Sequence, residues 1–299
     1  DNPLTARVVV NRLWQHCWGA GLVTTPNDFG LNGRKPSNQA LLDWLATELP
    51  RRGWRLKPLL ELIVTSSAYR QSGALNEKAA RMDPENRLLW RMNRRRLDGE
   101  AIRDSILAVS GRLNPQMGGP WIKVPLEPEV VDMIFTAEEP DNRWPVHPDP
   151  RQHARRSLYL HRKRNVRLPL LAAFDQPDLM TPCGARGSSV HALQSLILLN
   201  SAFLQSQSRA LAWRLFEEVP SDEARRIRRL FLLALGRPPT ESEAAATRRF
   251  LRGQQALKAR RLDEMRSSAA PDGAPPVAFA AWTDLSLAIL NLNEFLHVH

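Results

Sequence analysis

The chain has 299 residues, 43% of them hydrophobic and 24% charged, with a net charge of +11. That composition is globular, and it excludes a disordered or collagen-like chain. Cys17 and Cys183 are the two cysteines. Two rule out a disulfide framework, and the absence of CxxC and CxxCH excludes a cysteine-rich zinc site or an attached c-type haem.

Apolar residues at spacing three and four predict a first helix over 3–18, with Val9, Leu13 and Cys17 on one side and Gly19 and Gly21 ending it. "TTPNDFGLNGRKPS" reads as a loop. Ser37 is placed to cap a second helix striped by Leu41, Leu42, Leu45 and Leu49. "GWRLKPLLELIVTSSAYRQS" gives a third, with Pro58 tolerated in its first turn. A polar link covers 72–82, and "DPEN" suits a turn. "RRLDGEAIRDSILAVSGRLN" is a fourth helix, ending near Gly111.

Residues 114–157 are rich in Pro, Gly and Trp and lack a sustained period. Loops are expected there, with short strands at "WIKVPL" and "SLYLHR" and any strand confined to 121–162. The second half is helical again. "SVHALQSLILLNSAFLQSQSRALAWRLFEEV" reads as one long helix or two in series. Ser221 is placed to cap "DEARRIRRLFLLALG", and Thr240 with Glu243 forms a capping box. "SSAAPDGAPP" is a linker before a closing helix. The expected fold is mainly α: an irregular multi-helix domain with a loop-rich middle, a few short β-strands and helix content well above half. Its parts are 1–113, a seam at 114–187, and 188–299, all of which can form one compact domain. No apolar run is long enough to span a bilayer. The opening "DNPLTARVVV" reads as that of an excised domain, so its targeting signal is not legible.

The motif loop "FDQPDLMTPCGARGSS" raises the main chemical question. Asp175 and Asp178 form a candidate carboxylate pair, and Glu100 adds a third acid on a helix face shared with Arg103 and Asp104. Arg186, Arg103 and Asp28 are the binding candidates. The structural reading competes at each position. The aspartates can cap helix starts, and Arg186 can pin Asp175 so that the loop forms a rigid lid over a helix bearing Leu193, Leu196, Ile197 and Leu199. Ser188 or Ser189 is placed to cap that helix near Val190. Cys183 would be a nucleophile only beside a histidine. His191 in the following helix reads as packed or exposed. His297 and His299 alternate as on a strand, but lack a third ligand, so no metal is expected.

Six of the 42 basic residues are lysines and the rest arginines. "RMNRRRLDGE" and "RRIRRL" mix acids and leucines into helical patterns. Nucleic acid is therefore not an expected partner.

Several segments together carry a resemblance: "NPLTARVVVNRLWQHCWGAGLVTTPNDFG", "PSNQALLDWLATEL", "GWRLKPLLELIVTSSAYRQS", "DPENRLLWRMNRRRLDGEAIRDSILAVSGRL", "FDQPD", "LALGRPPTESE" and "WTDLSLAILNLNEFLHV". The chain resembles Planctomycetes-specific domain one, a family of unknown function, from end to end. The resemblance implies an extracytoplasmic setting (periplasmic, secreted or cell surface) at the C-terminal end of a larger polypeptide. It implies upstream domains as partners, and often a c-type haem in one of them, with no cofactor in this chain. Two departures, Cys17 where many members have histidine and His297 where many have tyrosine, argue against obligatory ligands there. Three functions follow: a non-catalytic accessory or interaction domain, an enzyme acting on polysaccharide through an Asp/Glu/Arg cleft, or an arginine-rich module binding an anionic ligand such as a glycan. Convergence of Asp175, Arg186, Asp28 and Glu100 would separate them.

Overall fold

Capping residues and apolar stripes set the element boundaries in the computed structural model, which describes residues 2–127, 130–131, 144–164, 166–260, 270 and 274–298. It is mainly α, 54% helical. The long irregular stretches keep that figure only just above half. The chain divides into two units. One comprises 1–96 with 183–185 and 297–299, the other 97–182 with 186–296.

In the first unit, α1 (Pro3–Trp18) is capped by the Asn2 side chain, opened by Pro3 and ended by Gly19 at φ 86°. Asn38 rather than Ser37 caps α2 (Gln39–Arg51), accepting from Leu41 N at 3.0 Å. α3 is Leu56–Val64. The polar link at 72–82 contains a short helix, α4 (Glu77–Met82), because Asn76 caps it through Ala79 N. Val10, Trp14 and Trp18 pack with Leu42, Leu45, Leu49, Leu59 and Ile63. Trp14 and Trp18 stack at 5.3 Å, and Tyr69 meets Trp18 edge-on at 5.4 Å. Fully buried Asn11 is satisfied at both ends of its amide by Val23 O (3.0 Å) and Val23 N (2.8 Å). That clasp needs Gly21, because a Cβ there would sit 2.6 Å from Val23 O and 2.7 Å from the Asn11 amide. The sheet is a two-residue antiparallel pair, β1 (Arg95–Arg96) with β2 (His297–Val298).

The second unit holds α5 (Gly99–Val109), α6 (Pro150–His153), α7 (Pro169–Ala173), α8 (Ala192–Asn200), α9 (Ala202–Glu218), α10 (Glu223–Leu235), α11 (Glu241–Ala259), α12 (Pro276–Leu290) and α13 (Asn293–Leu296). α12 is apolar on nearly every side, so it is the helix the others cover; α9 and α11 pack along it. Leu211, Leu215, Leu230, Phe279, Trp282 and Leu290 form the centre of this core. The 190–219 segment is two helices in series, because Ser201 is extended (ψ 141°) and caps α9. Asp222, not Ser221, caps α10 through Arg225 N. The Thr240–Glu243 capping box opens α11.

The strands expected at "WIKVPL" and "SLYLHR" are a single parallel bridge, Ile122 with Leu160. Pro120 and Pro125 remove ladder donors on one side, and a 3-10 turn at Ser157–Tyr159 curls the other. The linker around 267–276 lies largely outside the described residues. No described helix is long and apolar enough to cross a membrane.

Candidate functional site

The first turn of α5 places Glu100 against the motif loop. Chain 171–174 lies close to the helix start: a Cβ on Gly99 would be 3.1 Å from Phe174 Cβ and 3.2 Å from Leu171 Cα. Arg186 then grips Glu100 with both guanidinium nitrogens, at 2.7 and 3.1 Å, and its Nη1 lies 3.4 Å from Asp98. Burial pushes the Glu100 carboxyl up. The Arg186 bonds, its own backbone and the Gln176 side chain outweigh this and hold it below the ordinary range. Glu100 is thus a committed carboxylate, unsuited to donating a proton near neutrality.

The other acids are similarly engaged. Asp175 sits in the left-handed region (φ 57°) and accepts from Ser189 N at 2.9 Å and Ser189 Oγ at 2.7 Å. Ser189 therefore serves the loop and does not cap the next helix. α8 begins at Ala192 behind an N-cap at His191 that makes no side-chain bond. Asp178 closes a tight turn, accepting from Met180 N (3.0 Å) and Thr181 N (3.2 Å), and these bonds hold its carboxyl low. Asp104 accepts from Ser157 N and Oγ, both at 2.7 Å. Arg103 is 5% exposed and donates to Arg155 O, Ser157 Oγ and His153 O; burial pushes its pKa down to about 10. It is a strut between α5 and the 153–157 chain. Asp28 belongs to the first unit, where its carboxylate accepts from Gly30 N at 2.8 Å.

The lid expectation changes in one respect. α8 turns Leu198 and Gln194 inward, whereas Leu193, Leu196 and Leu199 are 53%, 52% and 42% exposed. The loop is fastened through Gln194, which donates to Ala173 O and Ser189 O. Cys183 is exposed and points its thiol at Ala185 O. His297 lies in β2, and His299 is outside the described residues. Among the described residues, no three His, Cys, Asp or Glu side chains gather as they would around a metal.

Beside Glu100 opens a cavity of about 40 Å³, lined by His161, Arg162, Lys163, Arg164, Arg167, Trp144 and the 176–179 chain. Arg162 donates to Pro177 O and Arg167 to Gln176 O, which orients both guanidiniums along the rim. Arg167 lies near enough to Asp178 for its charge to help hold that carboxyl low. The Ile122–Leu160 bridge builds the adjoining wall. Ile122 and Leu160 point into a small core with Leu171, so their neighbours Trp121, Lys123 and His161 point out. His161 packs 4.3 Å from Trp121 and 5.8 Å from Trp144, and Lys123 lies over both indoles. Burial, Lys123 and Lys163 push the His161 pKa down. "HRKRNVR" (161–167) was legible as a basic run, but nothing in the sequence shows that a bridge brings Trp121 and Lys123 beside it.

Residues 1–251 match PSD1, a protein of unknown function (DUF1553). The chain belongs to the PSD1 family. No curated protein and no solved structure matches it. The PSD1 match takes in every lining residue of the cavity and ends inside α11, so α12 lies beyond it.

Proposed function

We propose that this chain is a non-catalytic binding module that holds an anionic group in the cavity beside Glu100. It would serve a larger extracytoplasmic polypeptide of the planctomycete type, in some cases with a c-type haem in an upstream domain. The observation that carries the reading is the imbalance at the cavity. Among the described residues, Arg162, Arg164 and Arg167 line it, against Glu100, already held by Arg186, and Asp178, held by its own turn and by the charge of Arg167. An Asp/Glu cleft for polysaccharide hydrolysis needs a carboxyl poised to give up a proton, and each candidate acid here is a hydrogen-bonded carboxylate. The arginine side chains suit sulfate, phosphate or carboxylate through paired N–H donors.

Calorimetric titration with a sulfated oligosaccharide tests this. The double variant Arg162→Ala/Arg164→Ala alters exposed side chains, so it should keep the wild-type melting curve and lose roughly tenfold or more in affinity, with a weaker salt dependence. Unchanged affinity would defeat the reading. So would turnover of the oligosaccharide that Glu100→Gln abolishes.

A further inference from the structure

Trp121 is the unusual residue at this site. It is 58% exposed although its ring packs on His161, so much of the indole meets solvent. An exposed indole next to a cation cluster is a large apolar surface without structural use for the fold. The wall around it is built from backbone and side-chain contacts. The Ile122–Leu160 bridge sets the backbone, with Ile122 N donating to Tyr159 O at 2.8 Å and His161 N to Ile122 O at 2.7 Å. Trp144 is tied inward, its Nε1 donating to Val124 O at 2.8 Å. Lys123 Nζ lies 5.5 Å from the Trp121 ring centre and 5.1 Å from that of Trp144. A ring whose face packs on Trp121 would lie beside Lys123 and beside His161, which itself lines the cavity.

We propose that Trp121 is the stacking platform of this site, selecting anions carried on a pyranose ring: a sulfated or uronate polysaccharide chain. This rests on the anion-binding reading of the cavity and adds the ligand class. A sugar ring offers an apolar C–H face to the indole and charged substituents at its edge, which matches one open platform bordered by cations. A single nucleic-acid strand fits less well. It calls for successive aromatic platforms along a basic groove, and the second indole here, Trp144, is turned into the wall.

The test uses the full chain and four probes: inorganic sulfate, a sulfated hexasaccharide, a uronate hexasaccharide and oligothymidylate. Trp121→Ala should weaken both charged hexasaccharides roughly tenfold, the size of one lost stacking contact, and leave inorganic sulfate unchanged. Trp121→Phe should restore most of the loss. If Trp121→Ala leaves hexasaccharide affinity intact while Arg162→Ala/Arg164→Ala lowers it, the platform is wrong and the anion cavity stands. If neither variant matters, the cavity reading itself falls. Equal loss of inorganic sulfate in Trp121→Ala would show that the indole merely shapes the cavity, overturning the platform. Tighter binding of oligothymidylate than of either hexasaccharide would replace the glycan with a nucleic acid.

Discussion

Asp175 shows how a loop residue that looks catalytic is used for shape. Its left-handed backbone is one that Asn tolerates well, and its carboxylate holds Ser189 through two bonds. Asp175→Asn keeps an acceptor for Ser189 N and should lower stability by about 1 kcal/mol. Asp175→Ala removes the acceptor of both Ser189 bonds and adds strain, and should cost about 2–3 kcal/mol; urea melts of the two variants measure both. Glu100 gives a pH signature. Its folded pKa is depressed, so its ion pair stabilises the protein fully above the ordinary glutamate value. That contribution is lost as pH falls through the folded value. The urea midpoint of Glu100→Gln should therefore start lower at pH 7 and fall less steeply than wild type on acidification below about pH 4.5. The identity of the acids and of Arg186 was legible in the sequence. Their partners were not: Ser189 lies 14 residues from Asp175, Arg186 86 from Glu100, and no helical or strand period links such positions.

At the scale of elements, apolar periodicity located the helices well, and capping chemistry located their ends less well. Asn38 and Asp222 took the cap positions from the adjacent Ser37 and Ser221, because a carboxylate or amide oxygen reaches the N3 amide as readily as a hydroxyl does. The sheet was misplaced for a different reason: β1 and β2 pair residues some 200 apart, beyond anything alternation can report. Gly99 illustrates close packing between α5 and α7. Gly99→Ala gains helix propensity but meets Leu171 Cα at 3.2 Å, so the two effects should nearly cancel. Gly99→Val forfeits that gain and should lose about 1–3 kcal/mol by thermal melting. Arg237 clamps the start of α11 to α13, bonding Glu243 and Glu294 at 2.6–2.9 Å. With Arg237 as the main cause, the Glu243 pKa falls to about 2. The clamp should therefore weaken as pH drops from about 4.5 toward 2, and Arg237→Ala should flatten that part of the stability–pH curve.

Across the whole molecule, charge is handled locally. Arg7, Arg51, Arg52, Arg186, Arg214, Arg229 and Arg237 each lie beside a carboxylate, which is why +11 does not translate into a uniform basic surface. The sequence showed the surplus but not where it gathers; Arg162, Lys163, Arg164 and Arg167 line one cavity. Apolar surface is the other global feature. Val190 is 88% exposed and continues the Leu193, Leu196 and Leu199 face of α8. Leu193→Lys together with Leu196→Glu should leave the melting temperature unchanged, within about 0.5 kcal/mol, and raise solubility. A large drop in melting temperature would mean those side chains are covered.

The unequal settings of the two thiols make the protein its own clock. Cys183 is exposed, so a thiol reagent should consume one equivalent without any unfolding. Cys17 is buried in the core cluster that holds Trp14 and Trp18, and burial pushes its thiol pKa up, so the second equivalent should wait for the first unit to open. The lag between the two equivalents, followed against denaturant, therefore times the opening of the unit that carries Cys17 without any engineered label.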